Sequence, residues 1–158
     1  MDAIFKKLNY KAQKTVFAIN TPDSFEQHLL SVADTAAIIR QLPPPNENIP
    51  IEFAIAFATQ QKEVDSIAQH IAPQLQGDAV FWVCYPKGSS KRYKCDFNRD
   101  TGWAIMGYYD LEPVRMVAID EDWSALRFRK VQYIKTLTRQ FGALSEAGKE
   151  KAGQIKGE

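Results

Sequence analysis

The side chains best suited to chemistry lie in three short polar segments, each of which follows a run of apolar residues. Cationic, hydroxyl and amide groups can bind an anion, whereas converging carboxylates can hold a cation or a proton. The types and spacing of these residues match no reaction motif, so the sequence assigns no catalytic residue. The candidate ligand-binding residues are Asn20, Asp23, Lys87, Ser89, Ser90, Asp120, Asp122, Trp123 and Ser124.

The Lys-Gly-Ser-Ser segment at residues 87–90 has the chemistry of an anion site. It offers a cation, two hydroxyl groups and a glycine that lets the backbone approach a ligand. The full phosphate-loop pattern is absent, so a solvated loop is the simpler interpretation and an anion site is the alternative.

The basic residues between positions 87 and 99 alternate with Tyr93 and Phe97, a combination that can bind single-stranded nucleic acid. Asp96 and Asp100 offset part of this positive charge, and the whole chain has a formal net charge of only +1. Proteins that neutralise many phosphates usually carry a basic excess, which disfavours nucleic acid as a partner here.

Three consecutive acids, Asp120, Glu121 and Asp122, could bind a divalent cation or share a proton. Consecutive side chains in a turn point in different directions, so we expect a turn that pairs with basic residues and no metal site. Trp123 follows directly, and we expect it to pack against the helix that carries Trp103. An exposed stacking surface is the alternative role for Trp123.

The remaining reactive side chains have no partners at motif spacing. His28 and His70 fall in predicted helices, and the sequence contains no hydrolase motif that would use them. Cys84 and Cys95 do not match the spacing of a zinc site. We expect both to be free thiols in a reducing compartment.

The apolar pattern indicates the elements that position the polar segments. A helix is predicted from residue 62, with Pro73 marking a kink or an early end and Gly77 marking its stop. Asp23 or Ser24 could cap a shorter helix that follows the first strand. Continuous apolar runs predict strands, and period-two alternation predicts a last, half-exposed edge or return strand. These strands are residues 15–20, 51–58, 79–85, 114–119 and 126–131.

Strands that alternate with helices predict parallel neighbours joined by right-handed crossovers. The carboxyl ends of parallel strands meet at one edge of the sheet, where open α/β sheets bind their ligands. We therefore expect residues 20–24, 85–90 and 120–124 to share this edge.

The length of 158 residues fits one domain, which we place at residues 1–133. The polar tail at residues 134–158 is expected to be partly helical or disordered. No apolar run approaches the ~20 residues of a membrane helix, and residues 1–7 lack the apolar stretch of a signal peptide. These features predict a cytoplasmic protein without a membrane partner.

Several segments of the chain are similar to a known family. Tyr-Pro-Lys at residues 85–87 and Asp-x-x-Trp-Ser-x-Leu-Arg-Phe at residues 120–128 are the most specific of them. Over roughly residues 8–131, the chain resembles a bacterial domain-of-unknown-function family of short Rossmann-like proteins related in fold to class I methyltransferases. The segments that carry the resemblance are residues 20–22, 82–90, 96–100 and 117–128.

The resemblance implies an α/β fold with three α/β/α layers, in which a mostly parallel sheet ends in an antiparallel hairpin. It describes a trimmed class I methyltransferase-like fold and attaches no reaction to it. A cofactor site in such a fold needs a glycine-rich turn after the first strand. Here that turn, residues 20–24, contains no glycine, and Pro22 also lacks an amide donor. We therefore expect no cofactor.

The first functional hypothesis is a non-enzymatic Rossmann-like binding or protein-interaction module, whose partner is a protein or an anionic small molecule. The alternative is a divergent transferase or small-molecule enzyme that uses the edge formed by residues 20–24, 85–90 and 120–124. A nucleic-acid accessory factor is the third hypothesis, based on the basic and aromatic residues between positions 87 and 99.

Overall fold

The computed structural model describes residues 1–97 and 102–134. Within these ranges six strands form a single sheet in the order β2-β1-β3-β4-β6-β5. The first four strands are parallel, and β6 is antiparallel to both β4 and β5. The predicted α/β fold, a mostly parallel sheet that ends in an antiparallel hairpin, is confirmed. The strands are β1 (Thr15–Ile19), β2 (Ala37–Ile39), β3 (Ile51–Phe57), β4 (Leu75–Pro86), β5 (Leu111–Ala118) and β6 (Trp123–Lys130).

Helices cover both faces of the sheet. Val64 and Ile67 of α3 and Met106 of α4 pack on one face, whereas Phe5 of α1 and Leu29 of α2 pack on the other. The central strands supply alternate side chains to both layers, which gives them their nearly continuous apolar sequences. The helices are α1 (Ala3–Lys7), α2 (Glu26–Leu30), α3 (Gln61–Ile71) and α4 (Ala104–Tyr108).

The strand order places a topological switch point between β1 and β3. The chain passes outward from β1 to β2 and then returns to the other side of β1 to form β3. In open α/β sheets, the crevice at the carboxyl ends of the two strands that flank such a point is the usual ligand site. The loops after Ile19 and Phe57 flank this crevice.

The predicted early end of α3 near Pro73 is confirmed, whereas the helix stop predicted at Gly77 is wrong. The helix ends at Ile71, and a 3-10 turn that contains Pro73 leads directly into β4 at Leu75. Gly77 is therefore not a helix stop, because it lies inside β4 with φ = +60°. The register against β3 shifts between Ile51 and Phe53, so the first residues of β4 bulge.

For residues 126–131, the structure confirms the antiparallel return strand, one of the two predicted alternatives. They do not form the other alternative, an edge strand, because β6 lies between β4 and β5 and is largely buried. Its alternating sequence includes Arg127 and Arg129, which are only partly exposed despite their charge. On this side of the sheet, the edge strand among the described residues is β5, which begins at Leu111.

The turn after β1 lacks the predicted side-chain cap. Pro22 occupies the N-cap position of a 3-10 turn over Asp23–Phe25, and no side chain caps it. Asp23 and Ser24 are therefore exposed residues inside the turn rather than capping residues. The predicted tail at residues 134–158 lies outside the described residues, except for Ile134.

Candidate functional site

The carboxyl edge of the sheet begins with Asn20, which directly follows β1. Asn20 adopts the left-handed conformation (φ = 55°), which asparagine tolerates better than most residues. Its side-chain amide donates to the carbonyl of Phe57 at the end of β3 (3.4 Å). Asn20 therefore joins the two strands that flank the switch point.

Residues 87–97, called the edge loop below, begin against the β5–β6 hairpin. The backbone amide of Lys87 donates to the carbonyl of Asp122 (2.8 Å). Ser90 Oγ donates to Asp122 Oδ1 (2.8 Å) and accepts from the backbone amide of Tyr93 (3.1 Å). Two of the three predicted polar segments are thus in direct contact.

The far end of the edge loop is fixed beyond β3. The backbone amide of Asp96 donates to the carbonyl of Thr59 (3.0 Å), and Asp96 Oδ1 accepts from the backbone amide of Gln61 (2.7 Å). Thr59 follows β3 and Gln61 begins α3, so Asp96 satisfies a free amide in the first turn of that helix. The edge loop therefore crosses the carboxyl end of β3, beside the switch point.

The acids at residues 120–122 have structural partners. Asp120 Oδ1 accepts from the backbone amides of Asp122 (2.8 Å) and Trp123 (2.9 Å), which closes the hairpin turn. Asp122 accepts from Ser90, as described above, and Glu121 is exposed. Within residues 1–97 and 102–134, no group of three or more histidine, cysteine, aspartate or glutamate side chains is placed to hold a metal ion.

The expectation that Trp123 packs against the helix that carries Trp103 is wrong. Trp123 is only 3% exposed, and its ring contacts Phe57 and Tyr93 with centroid distances of 5.0 and 4.8 Å. Trp103 instead contacts Tyr85 at 5.5 Å on the opposite face of the sheet. Because of the register of β6, the side chain of Trp123 lies on the face of the sheet that α1 and α2 cover. Among the described residues, its buried Nε1 has no hydrogen-bond partner.

The edge loop also carries exposed cations. Lys91, Arg92 and Lys94 are exposed, and they form no ion pair within residues 1–97 and 102–134. The guanidinium of Arg92 lies 5.9 Å from the ring centre of Tyr93. Lys87 is partly exposed. Of the remaining predicted residues, Ser89 and Asp23 are exposed and Ser124 is buried opposite Tyr85 in the β4–β6 pair.

Neither thiol is activated for chemistry. Burial raises the pKa of Cys84 well above its ordinary value, and the nearby charge of Asp120 raises it further. Burial also raises the pKa of Cys95. Because the thiolate is the reactive form, both cysteines are poor nucleophiles at neutral pH.

Sequence reasoning missed a hydrogen bond between His28 of α2 and Asp2, the residue that caps α1. His28 Nδ1 lies 2.6 Å from Asp2 Oδ2, and Asp2 Oδ1 caps α1 by accepting from the backbone amide of Phe5 (3.0 Å). Burial alone would raise the pKa of Asp2, but the Phe5 amide and His28 together lower it below its ordinary value. The separation of 26 residues between Asp2 and His28 left no local sequence signal for this pair.

Comparison with known proteins identifies the fold class. A SAM-dependent methyltransferase from Aquifex aeolicus superposes with a TM-score of 0.51 and 10% identity over 80% of this chain and 87% of its own. The pyocyanin biosynthetic protein PhzM has a TM-score of 0.49 and 8% sequence identity, and the match covers 80% of this chain and 53% of PhzM. A protein of the NADB-Rossmann superfamily from Streptococcus agalactiae has a TM-score of 0.47 and 13% identity, and the match covers 98% of this chain and 82% of that protein.

The similarity to the Aquifex aeolicus protein shows a methyltransferase-like fold and nothing about activity, because the sequence identity is only 10%. No family model matches the sequence, and no curated protein matches it. Within the described ranges, no helix has the length and apolar character that crossing a bilayer requires.

Proposed function

We propose that the protein is a non-enzymatic binding module that holds an anionic ligand at the carboxyl edge of its sheet. The observation that carries this proposal is the path of the edge loop from Asp122 to Thr59. The loop lies across the end of β3, beside the crevice that Rossmann-like sheets use for their cofactors. We infer that a loop on this path restricts the opening that a cofactor cleft at this position would need.

The use of the polar groups at this edge supports binding rather than catalysis. A carboxylate that acts as a general acid or base has to exchange a proton with substrate, whereas Asp120 and Asp122 accept hydrogen bonds that hold the turn and the loop together. Lys91, Arg92 and Lys94 of the edge loop are exposed and form no ion pair among the described residues, and such cations attract anions. We extend the proposal to membership in the bacterial family of short Rossmann-like proteins that the sequence resembles, and to a cytoplasmic location.

A divergent transferase is the second candidate, and the unpartnered indole of Trp123 favours it. A buried donor without an acceptor costs about 1–3 kcal/mol, and a bound ligand that supplied an acceptor would remove this cost. The methyltransferase from Aquifex aeolicus shares the fold. A methyl donor is therefore the first cofactor to test.

Thermal unfolding with added ligand tests both candidates. We expect pyrophosphate to raise the thermal unfolding midpoint of the protein. In a separate assay, we expect the protein not to consume added S-adenosylmethionine. A ligand at about 100 times its dissociation constant stabilises by roughly 2.7 kcal/mol. Each kcal/mol shifts the midpoint of a domain of this size by roughly 2–4 °C, so the response is measurable.

The matched variants locate the site. Replacement of Lys91 and Arg92 by glutamine removes two exposed cations of the edge loop and should abolish the pyrophosphate shift. Lys6→Gln removes an exposed cation of α1 and should leave the shift unchanged. An unchanged shift in the Lys91→Gln/Arg92→Gln variant would contradict the proposed site. Stoichiometric methyl transfer from S-adenosylmethionine would replace the binding module with the transferase.

A further inference from the structure

A groove that the proposed function does not use lies at the other end of the sheet. Its floor is the face of β1 and β2 on which Phe17 and Ile39 are parallel neighbours. Leu42, Pro43 and Ile49 from the loop between β2 and β3 form its walls. This apolar part has a volume of about 360 Å³.

A polar pocket of about 560 Å³ adjoins this apolar part at the start of β1. The two parts share the lining residues Thr15 and Pro50, and together they are called the amino-terminal groove below. Each volume falls within the range of roughly 300–1,000 Å³ that is typical of ligand-binding clefts. The polar part is lined by Lys11, Ala12, Gln13, Lys14, Thr15, Pro50 and Glu52.

The loop that carries the two lysines of this groove is held in one shape. The backbone amide of Lys11 donates to Gln13 Oε1 (2.8 Å), and the hydroxyl of Tyr10 donates to the carbonyl of Gln13 (2.8 Å). Ala12, between Lys11 and Gln13, adopts φ = +68°, a conformation that residues with a Cβ rarely adopt. The lysines therefore project from an ordered turn.

The charge of the polar part favours an acidic partner. Lys11 and Lys14 are exposed and form no ion pair within residues 1–97 and 102–134. Glu52 is the one acid among the lining residues, so two lysines and one glutamate leave a local charge of +1. A ligand that combines an apolar group with a carboxylate matches both parts of the groove.

The position of the groove favours an extended peptide over a small molecule. It includes Ile39, the last residue of β2, which forms one edge of the sheet among the described residues and pairs there only with β1. Ile39 on this strand is 39% exposed. Exposed edge strands bind extended segments, whose alternate side chains enter pockets on the sheet face.

We propose that the amino-terminal groove binds an extended segment of a partner protein in which apolar and acidic side chains alternate. An apolar side chain packs on Phe17 and Ile39, and a neighbouring carboxylate interacts with Lys11 and Lys14. This site is independent of the carboxyl edge and would leave the anion site there accessible.

Fluorescence anisotropy with a labelled peptide tests the proposal. The probe is Gly-Ser-Leu-Glu-Leu-Glu-Ser-Gly, and the comparison peptide carries lysine in place of both glutamates. We expect the acidic peptide to bind the full chain and the basic peptide to bind at least about tenfold more weakly. Equal binding of the two peptides, or no binding of the acidic one, would overturn the proposal.

Charge variants give effects of opposite sign, which misfolding cannot produce. Replacement of Lys11 and Lys14 by glutamine should weaken binding of the acidic peptide about fivefold or more, whereas Glu52→Gln should strengthen it. Ile39→Ser should weaken binding by removing apolar contact. Leu30→Ser, at an apolar residue on α2 that is 72% exposed, should leave binding unchanged. Weaker binding after Glu52→Gln, or an unchanged affinity in the lysine variant, would also overturn the proposal.

Discussion

Ser90 is the residue that fastens the edge loop to the hairpin, through its hydrogen bonds to Asp122 and to the amide of Tyr93. Asp122 is only 8% exposed, so Ser90→Ala leaves a largely buried carboxylate oxygen without this donor. We expect the free energy of unfolding in urea to fall by about 1–3 kcal/mol. Ser89→Ala at the exposed neighbouring hydroxyl should change it by less than about 0.5 kcal/mol. Equal losses would show that the Ser90 hydrogen bonds are not stabilising.

Two buried tryptophans differ in whether the indole N–H has an acceptor. Trp82 Nε1 donates to the carbonyl of Leu8 (2.8 Å), whereas Trp123 Nε1 has no partner among the described residues. Trp82→Phe creates a cavity and leaves a buried carbonyl unpaired, whereas Trp123→Phe removes volume together with an unpaired donor. We expect Trp82→Phe to lower the free energy of unfolding by about 1–3 kcal/mol more than Trp123→Phe does. Denaturant unfolding followed by far-UV circular dichroism measures the difference, and a greater cost for Trp123→Phe would contradict this prediction.

The sequence predicts that the polar segments gather at one edge, because their position depends only on strand order and direction. It could not predict which polar groups remain free. The hydrogen bond between Asp96 and Gln61 joins residues 35 positions apart and depends on the path of an irregular loop. The face occupied by Trp123 depends on the register of β6, since a shift of one residue would send its ring to the other layer.

At the scale of secondary structure elements, the bulge at the start of β4 depends on Gly77. This residue has φ = +60°, and no atom lies within 4 Å of the position that a Cβ would occupy. Gly77→Ala therefore meets no steric overlap with neighbours but forces alanine into the left-handed region, at a cost of roughly 1–2 kcal/mol. Gly88 also has space around its Cα and no positive φ. We expect Gly88→Ala to leave the thermal midpoint unchanged or slightly higher, and equal effects of the two substitutions would contradict the role of φ.

The same bulge places an ion pair between β4 and β6. Arg129 Nε donates to Asp78 Oδ1 (2.8 Å), and this interaction lowers the pKa of Asp78 from its ordinary value of 3.8. A lowered carboxyl pKa stabilises the fold at pH values above 3.8, and this stabilisation is lost as the pH falls through the lower pKa of the folded state. Both side chains are about one-third exposed, so solvent screening limits the contribution to about 0.5 kcal/mol.

Asp78→Asn tests this contribution by removing the charge while keeping a side chain of the same shape. The variant should be less stable than the parent at neutral pH, and urea unfolding should show the two converging as the pH falls below 3.8. Glu121→Gln, at an exposed acid of the hairpin turn, is the control and should show no such convergence. A difference for Asp78→Asn that stays constant with pH would exclude the ion pair as its cause.

The fold class is predictable from the sequence because buried strands and an amphipathic helix each impose their own period. The central strands β3 and β4 are recognisable for that reason. The position of β6 in the sheet is not predictable from the sequence, because its alternating sequence fits an exposed edge strand as well as an interior strand with partly exposed arginines. Only the pairing of β6 with both β4 and β5 distinguishes the two arrangements.

At the scale of the whole molecule, two apolar layers share one sheet. Phe81 and Val83 of β4 point into the α3–α4 layer, whereas Val80 and Trp82 point into the α1–α2 layer. Because the same strand supplies alternate side chains to both layers, neither layer can lose its packing while the sheet remains intact. The two proposed binding surfaces lie at opposite ends of this sheet, so ligand binding at either end should stabilise the entire domain.

The coupling between layers is measurable with tryptophan as a reporter. Trp103→Phe removes the indole of the α3–α4 layer and leaves Trp82 and Trp123 to report on the opposite one. In this background, Ile67→Val on α3 should lower the free energy of unfolding by about 0.5–1.5 kcal/mol. If the domain unfolds in a two-state transition, every spectroscopic probe reports the same loss. We therefore expect the fluorescence midpoint and the far-UV circular dichroism midpoint to fall together, by roughly 1–6 °C. A fluorescence midpoint that does not move would mean that the layers unfold independently, and binding at one edge could then leave the opposite face unprotected.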